Sequence, residues 1–116
     1  MHEQDIKETA ILLRDEIAKA QKLTNNVDIH EVFLSAETIV SCLSYLISPI
    51  ADMEQRYRKL AIPSEEESNA AAEARAKASD EYKEWRKYER LYSLGEEQIK
   101  VLKAFSKNVN LEFKRT

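Results

Sequence analysis

Between positions 27 and 60, apolar residues recur at alternating steps of three and four: Ile29, Val32, Ala36, Ile39, Leu43, Leu46, Ile50, Met53, Tyr57 and Leu60. Such a repeat averages about 3.5 residues and stays on one side of a gently supercoiled α-helix. Ten positions filled without a break predict one long helix. Asp28 stands at its start as an N-cap, with Glu31 three residues on as its capping-box partner. Val27 before the cap and Val32 after it have the spacing of a hydrophobic staple. A second apolar row, Phe33, Val40 and Ile47, recurs every seven residues on one flank of the first half. A widened face needs two neighbours, so that half is expected in a three-helix layer and 53–60 in a two-helix hairpin. Pro49 inside the helix lacks a backbone donor and predicts a kink near 45–49.

The flanking segments are helical as well. Ile6, Ala10, Leu13, Ile17 and Ala20 form a stripe within positions 3–24, with Leu12 and Leu23 beside it. Asn25 and Asn26 then favour a turn. After a second turn at 61–63, Ser64 with Glu67 has capping-box spacing, and Glu65 and Glu66 suit the positive end of a helix dipole. From there a stripe runs Ala71, Ala74, Ala78, Tyr82, Trp85, Tyr88, Tyr92, Gly95, Ile99, Leu102, Phe105, Val109 and Phe113. Ser93 and Glu96 also have capping-box spacing, and Gly95 can end a helix. The stripe keeps phase across Gly95, which favours one continuous helix over 64–113. The alternative is a break at 93–95 that folds the last segment back.

The expected fold is all-α and coiled-coil-like, a single domain over 1–116. A long antiparallel hairpin (28–61 and 64–113) carries an N-terminal helix (3–24) packed at its open end, on the Phe33/Val40/Ile47 flank. Matched in length, the hairpin leaves the last segment overhanging. Ile99, Leu102, Phe105, Val109 and Phe113 then form an uncovered apolar face, expected to join copies of the chain in a dimer or small ring.

Composition agrees with long helices and narrows the chemistry. Of 116 residues, 43% are hydrophobic and 34% charged, with one Gly and two Pro, so turns are few. Purely apolar runs are short, Ala10 to Leu13 being one of the longest, and no membrane-spanning segment is expected. Positions 1–5 lack the basic start and apolar core of a signal peptide. With a single Cys42 and no disulfide partner, the expected location is cytoplasmic. One Gly precludes a Gly-rich phosphate loop, and one Cys with two scattered His gives no zinc spacing. Neither His2 nor His30 follows a Glu by three, so the carboxylate-bridged metal bundle is not matched. No catalytic residue, cofactor, metal or small-molecule substrate is expected. Tyr82, Trp85, Tyr88 and Tyr92 admit base stacking, but they continue the stripe, which favours core packing.

Charge is uneven. The net −3 of the chain hides a C-terminal third, 81–116, with 9 basic and 6 acidic residues. Lys100, Lys103, Lys107, Lys114 and Arg115 are its basic end, a candidate contact for nucleic acid or an acidic partner.

The segment 72–85 (AEARAKASDEYKEW) followed by 97–103 (EQIKVLK) resembles small helical proteins of phage recombination and replication modules. It is loosely similar to the phage recombination-mediator family, which loads a recombinase onto single-stranded DNA. The resemblance covers about the last half of the chain. It implies a long helical hairpin, ring-like oligomers, contact with single-stranded DNA or a recombination protein, and the host cytoplasm as location. The alternative is an adaptor or inhibitor that docks on a larger complex without touching nucleic acid.

Overall fold

Four helices follow one another in the computed structural model: α1 His2–Gln21, α2 Ile29–Leu60, α3 Asn69–Lys77 and α4 Asp80–Arg115. It describes the backbone of residues 2–23 and 28–115, and the side chains of 3–23 and 28–107. The described residues contain no strand. α2 and α4 form the antiparallel hairpin. α1 packs against both at the open end, and α3 packs against α2 near the tip.

α1 buries Ile6, Ala10, Leu13, Ile17 and Ala20, the stripe its spacing predicts. It closes with tight i→i−3 bonds, Lys22 N–H to the Lys19 carbonyl (3.1 Å) and Leu23 N–H to Ala20 (3.2 Å). Asp28 caps α2, its side chain accepting from the His30 N–H at 3.0 Å. Val27 of the expected staple, and the Asn25–Asn26 turn, lie outside the described residues. The α2 stripe faces inward, with Val32, Ile39, Leu43, Leu46, Met53 and Tyr57 buried. The helix runs unbroken through Pro49.

Gly95 sits where three helices converge. A Cβ there would lie 2.8 Å from Leu43 Cδ2 of α2 and 3.4 Å from Leu13 Cδ1 of α1. The only glycine of the chain is therefore kept for close approach, inside a helix it neither breaks nor ends. Continuity across 93–95 is what the phase of the stripe predicts.

The hairpin departs from expectation at its tip. Position 64 does not start a helix. The Glu67 carboxylate accepts from the Ser64 N–H (3.2 Å) and grips the Arg75 guanidinium through Nε and Nη2, each at 2.9 Å. With Glu67 N–H bonded to the Ser64 carbonyl, these four residues close a turn. Ser68 then becomes the N-cap, accepting from the Ala71 N–H at 3.1 Å. The expected helix 64–113 is also two helices. It breaks at 78–79, where the Ser79 hydroxyl accepts from the Tyr82 N–H at 3.2 Å and Asp80 and Glu81 open α4. The break resets the rotation of the alanines. Ala72 and Ala76 are buried, while Ala71, Ala74 and Ala78 of the expected stripe face solvent. The tip itself keeps two helices side by side: Arg75 of α3 reaches the Ile62 carbonyl beyond α2, while Tyr82 of α4 meets Tyr57 further back along the same helix. Below the tip Tyr57, Tyr82 and Trp85 cluster: Tyr57 stacks on Trp85 at 5.3 Å between ring centroids and lies tilted to Tyr82 at 4.9 Å, and Tyr82 meets Trp85 edge-on at 5.9 Å.

Candidate interaction surface

α1 does not lie on the Phe33/Val40/Ile47 flank of α2, which corrects the sequence-based placement. It lies on the opposite flank, where Ser35 and Cys42 are buried. Leu23 shares a cleft with Ser35, and Thr9 and Leu12 share another with Cys42 and Tyr45. Both sides of this contact bury small residues, Ala10 and Ala20 on α1 and Ser35 and Cys42 on α2. They allow the helix axes to approach, which Phe33 and Ile47 would prevent. The flank left over is exposed: Phe33 by 52%, Val40 by 47% and Ile47 by 56%.

This face carries almost no charge. From 32 to 51, α2 has one ionisable acid or base of the Asp/Glu/Lys/Arg set, Glu37. The other outward positions are apolar or serine, including Leu34, Ser41, Ser44, Tyr45 and Ser48. By length and composition α2 could cross a membrane, with 28% of its most apolar stretch buried. The short apolar runs of the sequence conceal this, because serines interrupt them without adding charge. Beside the exposed flank an open groove of about 300 Å³ separates α2 from α4, lined by Val40, Leu43, Ser44 and Ile47 on one side and Tyr92, Glu96, Ile99, Lys100 and Lys103 on the other.

The expected interface on α4 is largely internal. Leu102 is 2% exposed and belongs to the core of the chain itself, and Ile99 and Phe105 pack half-buried against that core. α1 is the reason. It runs beside α4, so its C-terminal end, Ala20 and Leu23, joins the same cluster. The side chains of Val109 and Phe113 lie outside the described residues. Of the basic end, Lys100 is 3.5 Å from Glu97, Lys103 lines the groove and Lys107 is exposed. The side chains of Lys114 and Arg115 lie outside the described residues.

Elsewhere the polar chemistry is sparse. Among the described residues no group of three or more His, Cys, Asp or Glu could hold a metal ion. Burial, and to a lesser degree Glu16, pushes the Cys42 thiol up from its ordinary pKa. That is the opposite of an activated nucleophile. His30 is exposed in the first turn of α2. Tyr82, Trp85, Tyr88 and Tyr92 are buried or half-buried in the bundle, which leaves no open row of rings for stacking bases. Burial also raises the Tyr88 phenol, with Glu84 adding to the shift and Arg14 opposing it.

The sequence contains a signal for the exposed face that periodicity alone misses. It is the run without charge, not the run of apolar residues, that sets 32–51 apart. No family model, curated protein or solved structure matches the chain.

Proposed function

We propose that this protein works by association, not by turnover: a helical interaction protein that binds other polypeptide, its own copies included, through the outward flank of α2. The observation that carries this reading is the exposed Phe33/Val40/Ile47 row beside an open groove, on a helix with one charge in twenty residues. Solvent-facing helix surfaces of soluble proteins normally carry charge, and contiguous apolar patches mark interaction sites. The association surface shifts accordingly from the seam of α4, of which Leu102 lies in the core and Ile99 and Phe105 against it, to the face that α2 and α4 share.

Light scattering across a concentration series tests the reading. The wild-type chain is expected to self-associate, and Val40→Asp with Ile47→Asp to give a smaller species with unchanged helicity. Both residues are about half exposed, so the bundle tolerates the change. A wild type that stays monomeric, or variants that associate as before, would overturn it.

Contact with single-stranded DNA is the second reading, favoured by exposed Lys103 and Lys107 on α4 and by the resemblance to phage recombination proteins. It ranks lower because Glu96 and Glu97 share that stretch and Glu97 pairs with Lys100. Retention of a labelled single strand that falls steeply with added salt would support it. No retention at low salt would sink it.

A further inference from the structure

Glu37, exposed on the outer crest of α2, and Lys100 and Lys103, in the α4 wall of the groove beside Glu96, are complementary in charge. Leu43 meets Gly95 across the antiparallel pair. Six residues toward the N-terminus of α2 lies Glu37, and six residues beyond Gly95 on α4 lies position 101, between Lys100 and Lys103. Both helices rise about 1.5 Å per residue, so Glu37 shares a level with the two lysines. Among the described residues Glu37 makes no ion pair within its own chain, and Lys100 has only the 3.5 Å contact to exposed Glu97. The one acid on the outward face of α2 thus stands level with bases on its neighbour, and the two are not joined.

Resting on the association reading above, we propose that the groove is filled by a second copy of this chain in a parallel two-fold dimer, α2 of each copy lying along α4 of the other. An axis running along the groove keeps every level and exchanges the two helices. Val40 and Ile47 of one copy then meet Ile99 and Tyr92 of the other, and Glu37 meets Lys100 and Lys103 of the second copy, twice by symmetry. The product is a four-helix core of two α2 and two α4 helices, with α1 outside. The antiparallel alternative, turned about the level of Gly95, sets Glu96 against Glu96 of the second copy and leaves Glu37 over the apolar end of the other α2. Electrostatic pairing of this kind fixes register and excludes wrong arrangements more than it adds raw affinity.

The dimer dissociation constant of four full-length chains, measured by sedimentation or light scattering, tests the arrangement. Glu37→Lys alone and Lys100→Glu with Lys103→Glu are each expected to raise it about tenfold, from two weakened pairs per dimer. The chain carrying all three substitutions restores the attraction and should return to near wild-type affinity. Added salt should weaken the wild-type dimer and the triple variant alike. A wild-type dimer indifferent to the charge changes, or a triple variant no tighter than the single ones, overturns the parallel arrangement. If Val40→Asp still dissociates that dimer, the α2 flank remains the association surface. A monomeric wild type overturns both.

Discussion

Two stretches of equal length make the plainest contrast in the molecule. On α2, residues 32–51 carry one charge. On α4, residues 81–100 carry ten, five acidic and five basic. Both stretches bury one stripe in the same core, α2 through Ile39, Leu43 and Leu46, α4 through Tyr88, Leu91 and Gly95. Their inner faces therefore differ little in role. What differs is the outer face. α4 has the solvated exterior of an ordinary amphipathic helix, with side-chain pairs such as Arg86 with Glu89 and Lys100 with Glu97 along it. α2 has none over that stretch and exposes Phe33, Leu34, Val40, Tyr45 and Ile47 instead. A buried stripe explains why a helix belongs to the fold. An outer face with a single charge calls for an explanation beyond the fold, and the proposed association would supply it.

The two faces of α2 should separate cleanly in stability. Leu46 is fully buried, and Leu46→Ala is expected to cost about 2–5 kcal/mol, since the cavity it leaves collapses only in part. Val40 is about half exposed, and Val40→Ala should stay within roughly 0.5 kcal/mol at concentrations where the chain is monomeric. Chemical denaturation of the two variants gives both numbers. Equal losses would mean that the outer flank is covered within the monomer, and the contrast between the helices would disappear.

Gly95 sharpens the contrast from the side of α4. Adding a Cβ places it 2.8 Å from Leu43 Cδ2, nearer than side-chain carbons normally approach. Gly95→Val adds two further methyl groups to that contact, and is expected to destabilise by about 1–3 kcal/mol despite removing a helix-interior glycine. Gly95→Ala keeps the smaller clash and gains helix propensity, so it should lie well above Gly95→Val in denaturant midpoint. A Gly95→Val chain as stable as wild type would mean that α2 and α4 can separate without loss at this level.

Much of this was legible in the sequence. The stripes of α1 and α2, the Asp28 cap and the continuity of α4 through Gly95 follow from spacing and local chemistry, which act within one or two turns. The tip was not legible. Ser64 and Glu67 have the spacing of a capping box, but Arg75, eleven residues beyond Ser64, captures the same carboxylate and makes a turn of it. Ser79 restarts the helix, and Ala72 and Ala76 turn inward in place of Ala71, Ala74 and Ala78, which a stripe counted across the break cannot reveal. The side of α2 taken by α1 was not legible either. Phe33/Val40/Ile47 and Ser35/Cys42 are rows of equal period, and size complementarity with α1 decides between them. That misplacement concealed the candidate surface, because the exposed row was assigned a partner it lacks.

Cys42 tests the α1 side of the same comparison without a change in sequence. It is buried between α2 and α1, and burial together with Glu16 holds its thiol above the ordinary pKa. A raised folded pKa favours the neutral thiol. Its contribution to stability is therefore complete below the unfolded pKa and is lost as pH rises through the higher folded value. Labelling by a thiol reagent near pH 8 should accordingly be slow and should follow unfolding, accelerating with denaturant. Cys42 that labels as fast as a free thiol would place α1 away from this flank.

The smallest effect is expected at the turn that leads from α2 toward α4. Glu67 accepts from Arg75 and from the Ser64 N–H, and these bonds, the Arg75 pair first, hold its carboxyl below the usual glutamate pKa. A depressed folded pKa contributes stability that is present above the unfolded value, about 4.3, and is lost as pH falls through the lower folded value. The pair is solvent-facing and screened, so the bundle as a whole should scarcely register its loss. The local turn should. Amide exchange at Glu67 and Ala72, whose N–H groups bond to the Ser64 and Ser68 carbonyls, is expected to lose protection in Glu67→Gln. The wild type should lose the same protection only in acid, below the ordinary glutamate range. Protection unchanged in both the variant and acid would show that the turn is held by its backbone bonds alone.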